Sequence, residues 1–321
     1  MSRFSKEDLS HVRLRSIETR QSKVDDSVWG RPVSPGGSFS EFVDRLPDVL
    51  AARDLRRLAD LIVEGGERKR ACVMMVGGHV VKVGLVPVIV DLIERGFITT
   101  LAMNSAAAIH DVESALFGAT SEDVAASIGD GSFGMARETG QFINETLEKA
   151  WRSDDPEIGY GEALGERLLA SGAERSSLLA TCVRTGTPVS VHVAIGADIV
   201  HQQPSMSGAA TGELSFRDFR LLCHELRRLG DGGVVMNVGS NVILPEVFLK
   251  GLTVARNLAG GITNFTTANF DMIRHYRPRV NVVERPVLDG GRGFDFTGHH
   301  EIMIPLLAAL IRERGAGGTT K

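Results

Sequence analysis

Hydrophobic positions along this chain fall into short runs that stop at glycine and longer stretches with helical spacing, and the two alternate. Residues 71–76 (Ala71-Cys72-Val73-Met74-Met75-Val76) are apolar throughout and end at Gly77-Gly78. A short apolar run bounded by glycine predicts a buried strand. Beyond it Leu85, Val88, Ile89, Leu92 and Ile93 recur at three- and four-residue intervals, which predicts a helix stopping at Gly96. A second strand is predicted over Ile98–Met103; it runs into Asn104-Ser105-Ala106-Ala107-Ala108 and then His110-Asp111. Strand, small-residue loop and helix, repeated, make a βαβα unit, and such units imply a parallel sheet. Ligands of open parallel sheets bind at the carboxyl ends of the strands. Both loops fall there.

The rest of the chain extends the pattern. Phe42, Leu46, Val49 and Leu50, then Leu55, Leu58, Leu61 and Ile62, predict two helices within residues 38–64. Thr120-Ser121-Glu122-Asp123 reads as a helix start. Residues 132–185 carry helical spacing only, so a helical insertion at about 132–185 separates two parts of the sheet. Strands are predicted at Val189–Ala194, Val234–Val238 and Ile262–Thr267, with a last pair around Val280–Val283 and Phe294–Phe296. Helices are predicted over Phe216–Leu229, over Glu246–Leu258 and at the C-terminus to Ile311. The fold class is α/β: a doubly wound, mainly parallel, Rossmann-like sheet. Residues 1–38 are polar, close on Arg31-Pro32-Val33-Ser34-Pro35-Gly36-Gly37, and read as an N-terminal arm. Residues 39–321 read as a single domain.

Composition narrows the function. Apolar residues make up 43% of 321, and mean hydropathy is +0.01, ample for a sizeable core. A net charge of -4 gives no basic surface for nucleic acid. No run is long and apolar enough for a membrane span, and the polar start lacks a signal core, so a cytoplasmic protein is expected. Cys72, Cys182 and Cys223 form no paired motif and read as buried thiols. Only seven of the 36 basic residues are lysine, which leaves few amines for imine chemistry.

Candidate chemistry gathers at the predicted strand ends. Gly77, Gly78 and His79, with Lys82, follow one strand and open a helix; glycines there allow close backbone approach to a phosphate, or simply make a tight turn. Asn104, Ser105 and Ala106 offer small side chains and backbone N–H groups suited to a dinucleotide, or to close helix–sheet packing. Gly239 and Ser240, and Thr267, Ala268 and Asn269, follow the same logic. His110 and Asp111 pair a proton-exchanging ring with an acid. His201 is a second proton-transfer candidate, the alternative being a polar loop residue. Lys250 is the one lysine at helical spacing behind the Gly239 loop. His299-His300-Glu301 is conspicuous, but adjacent histidines point apart, so no metal ligands are assigned.

This order of motifs resembles the deoxyhypusine synthase family. LVPVIVDLIERGFITTLAMNSAAAIHDVE is similar to that family's helix, strand and Thr-Ala-Gly-Gly loop followed by acids. RTGTPVSVHVAIGADIVH resembles its Pro-Val strand and Asp-Gly turn, and GGVVMNVGSNVILPEVFLKGL its glycine-rich loop and helix. TNFTTANFD falls on its Asn-Thr-Ala strand end, and GHHEIMIPLLAALI resembles its closing helix. The resemblance, over roughly 70–312, implies a Rossmann-like fold, NAD as cofactor and a homotetramer with active sites between subunits. The chain departs from the family where spermidine is handled. The catalytic Trp-Gly-Lys motif would fall near Glu284-Arg285-Pro286, which holds no lysine, and Arg279 and Val280 stand at polyamine-binding acids. His110 replaces a family acid, and His201 falls near another.

The reading is therefore an NAD-dependent transferase or oxidoreductase acting on a small amine or alcohol, with His110 moving the proton. A metal-dependent hydrolase or lyase using the histidines, and a non-catalytic NAD-binding oligomer, remain alternatives. Incubated with spermidine, NAD and the precursor of the hypusine-bearing translation factor, the chain is expected to make no deoxyhypusine; mass spectrometry of the acceptor lysine checks this.

Overall fold

In the computed structural model, which describes residues 2–317, the chain divides into two units, Met1–Arg53 and Asp54–Lys321. The first unit holds three single turns of 3-10 helix, at Leu9–His11, Ile17–Thr19 and Asp26–Val28, opened by the side chains of Asp8, Ser16 and Asp25. Its helix α1 (Phe39–Arg45) is capped by Ser38, whose hydroxyl accepts from the Glu41 amide at 3.1 Å. The expected arm ended at residue 38, but α1 belongs with it. Arg31 N–H donates to the Arg45 carbonyl, Asp48 N–H to the Val28 carbonyl, and the Arg45 guanidinium to the Pro32 carbonyl.

The larger unit is built on six parallel strands: β1 (Cys72–Val76), β2 (Thr100–Asn104), β3 (Val189–His192), β4 (Val234–Val238), β5 (Thr266–Asp271) and β6 (Arg292–Thr297). Their spatial order is β3-β2-β1-β4-β5-β6. The order reverses between β1 and β4, so the loops after these two strands diverge from a single crevice. Every residue of β1, β3, β4 and β5 is buried, which requires cover on both faces.

Helices supply that cover. α2 (Leu50–Glu67), which belongs to this unit from Asp54 onward, buries Leu55, Leu58, Ala59 and Ile62. Between β1 and β2 lie α3 (Gly78–Lys82) and α4 (Val86–Glu94), the latter opened by Pro87 and followed by Gly96 at φ +74°. Between β2 and β3 lie α5 (Ser105–Phe117), the short α6 (Val124–Ser127), α7 (Arg137–Trp151), α8 (Tyr160–Ala170) and α9 (Leu178–Thr185), the last three within the stretch 132–185. Then come α10 (Gly208–Leu226) after β3 and α11 (Ile243–Ala259) after β4. Leu222 and Leu226 of α10 and Leu244, Phe248 and Leu252 of α11 form one core with Val73, Met75, Ala102 and Val235 of the central strands. After β5 come the single turn α12 (Tyr276–Pro278) and, after β6, α13 (His300–Gly317), which packs on α4 and β5. All three cysteines are buried free thiols.

Two sequence expectations fail, each for a physical reason. Val280–Val283 is no strand but part of a π-helix, Arg279–Glu284. Pro278 pre-sets the backbone for a helical turn, and the buried Asn281 donates to Glu246 of α11 from within it. Strand β5 begins at Thr266, four residues after the expected start at Ile262. Gly260, Gly261 and Asn264 all have positive φ, and the loop they shape buries Ile262 and Phe265 without extending the strand. Thr267, Ala268 and Asn269 consequently sit inside the sheet, not in a loop beyond it. Helix α10 also begins earlier than expected, at Gly208 in place of Phe216.

The loops after β1 and β4 touch. Gly77 N–H donates to the Val238 carbonyl, and a Cβ placed on Gly77 would lie 1.9 Å from the Gly239 carbonyl oxygen. Gly77→Ala is expected to destabilise the fold by several kcal/mol, on the order of ~3 or more, because backbone must move. Gly66→Ala, a helical glycine of α2 with open space at its Cβ position, is expected to stabilise by ~0.5–1 kcal/mol. Urea melts of the two variants test the pair.

Candidate functional site

A cavity of 340 Å³ opens over the α5 side of the sheet's carboxyl edge, lined by Lys82 of α3, Ala106, His110 and Glu113 of α5, Glu122, and Asp198. A second, more open cavity of 390 Å³ adjoins it across Glu113 and Glu122 and is walled by Thr120, Glu138 and Thr139. Helix α5 positions three of these groups, Ala106, His110 and Glu113. Asn104, the last residue of β2, accepts from the Ala107 amide at 2.9 Å and starts the helix on the strand end. Gly118 at φ +69° ends it and turns the chain back, so that Thr120 meets the helix it has just left.

His110 is the centre of the arrangement. Its Nδ1 lies 2.7 Å from the Thr120 hydroxyl, which donates to Glu113 at 2.5 Å. The other Glu113 oxygen accepts from Thr139 of α7 at 3.0 Å. A hydroxyl has one proton, and an ionised carboxylate only accepts. With the Thr120 proton directed at Glu113, His110 donates from Nδ1, which leaves Nε2 as a lone pair. Burial pushes the ring's pKa below its ordinary 6.5, and Lys82 pushes the same way against Glu113. At neutral pH His110 is therefore an uncharged base.

Ala197, Asp198 and Ile199 form another wall, and His201 lies against Asp198. His201 Nδ1 accepts from the amides of Gly196 and Asp198, at 3.1 and 3.3 Å, so its proton belongs on Nε2. That Nε2 sits 3.7 Å from Asp198 Oδ2, both side chains are only 6% exposed, and neither atom has a protein hydrogen-bond partner. Burial raises the Asp198 carboxyl above its usual range, opposed by the Ser105 hydroxyl and the His201 ring.

Of the expected residues the structure thus brings Lys82, Ala106 and His110 to the cavity lining, with Ser105 and His201 against its Asp198. It does not bring the other expected residues there. Asp111 is fully buried on the far side of α5, where it accepts from the Ser177 hydroxyl (2.6 Å) and from the amides of Leu178 (2.8 Å) and Leu179 (3.1 Å). It caps α9 and is out of reach of the cavity. Lys250 is exposed on α11 and paired with Glu246. Gly78 is buried; a Cβ there would lie 3.2 Å from Ala106 Cβ and from His110 Cδ2, so this glycine lets α3 pack closely on α5. Gly239, at φ +68°, faces His300, and Ser240 accepts from the Leu244 amide at the start of α11. Asn269 bridges the strands, accepting from Asn237 (2.8 Å) and donating to Asp295 (2.9 Å), while Thr267 and Ala268 are buried beside it.

His79 stands next to His300, ring centroids 5.6 Å apart, and its pKa is lowered by burial, His300 and Lys82. His300 Nε2 faces the Phe270 carbonyl at 3.0 Å, while His300 Nδ1 and Asp271 Oδ2 are buried with no protein partner. Among the described residues no group of three His, Cys, Asp or Glu side chains is placed to hold a metal ion. No described helix is long and apolar enough to cross a membrane. Glu113, Thr120 and Asp198 went unselected in the sequence. Glu113 had a signal, since it follows His110 by three residues on one helix face; the contact of Thr120 depends on the turn at Gly118.

Comparison with known proteins supports the fold. A family model described as the C-terminal Rossmann fold of arginine dihydrolase ArgZ-like proteins matches residues 56–150. No curated protein sequence matches the chain. AgrE, solved in a ternary complex with ornithine and NAD+, is similar in structure, with TM-score 0.53 and 16% identity over 82% of this chain and 33% of that one. ArgZ, an arginine dihydrolase from the ornithine–ammonia cycle in cyanobacteria, gives TM-score 0.51 and 15% identity over 83% and 33%. A conserved putative LOR/SDH protein from Methanococcus maripaludis S2 gives TM-score 0.50 and 15% identity over 82% and 70%. The chain spans about a third of the length of the ArgZ and AgrE chains it matches. At these identities the likeness defines a Rossmann-fold α/β protein.

Burial outweighs the three donors to Asp111 and pushes its carboxyl up to about 6. The folded state therefore holds this proton more tightly than the unfolded chain, whose value is near 3.8. The Asp111 contribution to stability is fully present below that unfolded value and is lost as pH rises through about 6. Against Asp111→Asn, which cannot titrate, the wild type is expected to lose up to ~1.4 kcal/mol per pH unit across that window and to run level above it. Urea unfolding of both proteins at a series of pH values reads the difference.

Proposed function

We propose that this chain binds NAD along the carboxyl edge of its sheet and oxidises a small amine or alcohol, with His110 accepting the substrate proton. The observation that carries the reading is the hydrogen-bonded chain from His110 Nδ1 through Thr120 to Glu113, which leaves Nε2 as the free base of a ring lining a cavity over a Rossmann-fold strand end. NAD supplies the hydride acceptor when bound. The residues at this edge fit such a group. Asp198 Oδ2 and, next to it, His201 Nε2 on the cavity side of the edge, and Asp271 Oδ2 and His300 Nδ1 at the end of β5 and the start of α13, are buried polar atoms without protein partners. A dinucleotide lying across the strand ends offers donors and acceptors to both groups, and Lys82 offers a charge for its phosphates. The presence of NAD+ with ornithine in AgrE favours an amine among the substrates considered.

The chain's own part in the reaction is proton transfer and placement. His110 Nε2 takes the proton released from the amine or alcohol as the carbon–nitrogen or carbon–oxygen double bond forms. Ala106, Ile109 and Phe133 give the cavity an apolar wall that excludes water from that exchange. The Glu284-Arg285-Pro286 segment holds no lysine, and Lys250 is committed to Glu246, so no imine with the protein is proposed. A homotetramer, implied by the resemblance to deoxyhypusine synthases, is proposed alongside.

Calorimetric titration with NAD tests the binding; Lys82→Ala is expected to weaken it roughly tenfold. Turnover of L-ornithine, L-lysine or short alcohols, followed by absorbance of the reduced nicotinamide, is expected to fall by ~100-fold or more in His110→Gln. Because the neutral ring is the active form and its pKa is depressed, turnover is expected to be lost as pH falls through a value below 6.5. Failure of the wild-type protein to bind NAD at all ends this reading.

A further inference from the structure

We propose that Thr120 and Glu113 form a proton relay that fixes the tautomer of His110 and carries its proton out to the second cavity. The geometry assigns the direction. His110 Nδ1, the Thr120 hydroxyl and Glu113 Oε2 are joined by contacts of 2.7 and 2.5 Å, and Glu113 lines both the inner cavity of His110 and the outer cavity. His110 is common to the relay and the inner cavity alone; Thr120 lines the outer cavity alone. A path of hydrogen bonds thus crosses the wall between the two spaces. Thr139 of α7 holds the second Glu113 oxygen at 3.0 Å, which fixes the carboxylate's orientation.

The step balances. As His110 Nε2 gains the proton of the substrate, Nδ1 passes its own to Thr120 Oγ, and the Thr120 hydroxyl proton moves to Glu113. The carboxylate becomes a carboxylic acid and releases the proton to water in the outer cavity. One proton enters at Nε2 and one leaves at Glu113, so His110 never has to hold a full positive charge in a site where burial and Lys82 both disfavour it. The charged groups around the ring are Glu113 on its own helix, Lys82 on α3, and Glu122 and Asp198 across the cavity. Thr120 and Glu113 act through His110 and are positioning residues. The origin of the proton rests on the proposed oxidation; the tautomer does not.

The test therefore reads the ring and needs neither substrate nor cofactor. The full chain, with 15N-labelled histidine, is examined by two-bond 1H–15N correlation spectra at neutral pH, and His110→Gln identifies the His110 signals. The wild type is expected to show a protonated Nδ1 and a bare Nε2. Thr120→Val, close to isosteric, is expected to lose that preference and show Nε2–H, and Thr120→Ser to restore it. Glu113→Gln removes the charge that supports the imidazolium and is expected to shift the His110 titration to lower pH. A wild-type ring protonated on Nε2, or a Thr120→Val ring unchanged in tautomer, overturns the relay. If Thr120→Val does not fold, Thr120→Ser and Glu113→Gln decide it, since an Nε2–H ring in the first or an unmoved titration in the second is equally fatal. Loss of NAD binding in the wild type would end the oxidoreductase reading and leave these spectra unaffected.

Discussion

The contact between the loops after β1 and β4 is the constraint on which the rest of the site depends. At the point where the strand order reverses the chain leaves neighbouring strands in different directions, and here the two loops touch as they do so. Gly77 donates to Val238, Gly239 donates to Phe270, and His300 faces the same Phe270 carbonyl. Three strand ends and the start of α13 are thereby tied at one point. The tie also sets α3, because Gly77 is its N-cap, and Gly78 in turn lies against Ala106 and His110. A side chain at either glycine would push α3 away from α5 and carry Lys82 from the cavity. The glycine pair is needed for what it lets the backbone do to itself. A ligand is not required to account for it.

Much of the sheet was legible in the sequence, for a simple reason. Strands β1 and β4 are buried on both faces, so β1 appears as an unbroken apolar run and β4 as one interrupted only by Asn237, and glycine marks where each stops. Where an apolar residue reaches the core from a loop, that signal misleads. Ile262 and Phe265 are as buried as any strand residue, yet they precede β5 in a turn with three positive φ angles. The short β-branched run at Val280–Val283 has the same ambiguity, since two of its valines are buried from a helical turn.

The site was legible only as far as its neighbourhood. Strand ends pointed to Lys82, Ala106 and His110, and the cavity lies among them. Sequence adjacency then failed, because neighbouring residues on a helix point about 100° apart. His110 and Asp111 cannot share a cavity, and α5 turns the first toward Thr120 and the second toward α9. The true partner of His110 on its own helix is Glu113, one turn onward. Thr120 is brought in by a left-handed glycine at a position where composition gives no hint of which way the chain returns.

Both halves of the carboxyl edge combine bonded polar groups with buried polar atoms that have no protein partner. On the β4–β6 side, Asn237, Asn269 and Asp295 stand in register across three strands and bond to one another, which stiffens the sheet where it would otherwise fray. On the β1–β3 side the buried pair Asp198 and His201 has atoms left over, one an acceptor and one a donor, at a cavity wall. A buried polar atom without a partner costs on the order of ~1–3 kcal/mol. Apolar residues at 198 and 201 would avoid that cost only by giving up the loop bonds that His201 Nδ1 makes. In this half the hydrogen bonds to His201 Nδ1 hold in shape the loop whose Asp198 lines the cavity that His110 also lines. His110 and Asp198 line one cavity, and α5 is the element that joins them, since it carries His110 and begins with Ser105, whose hydroxyl acts on the Asp198 carboxyl.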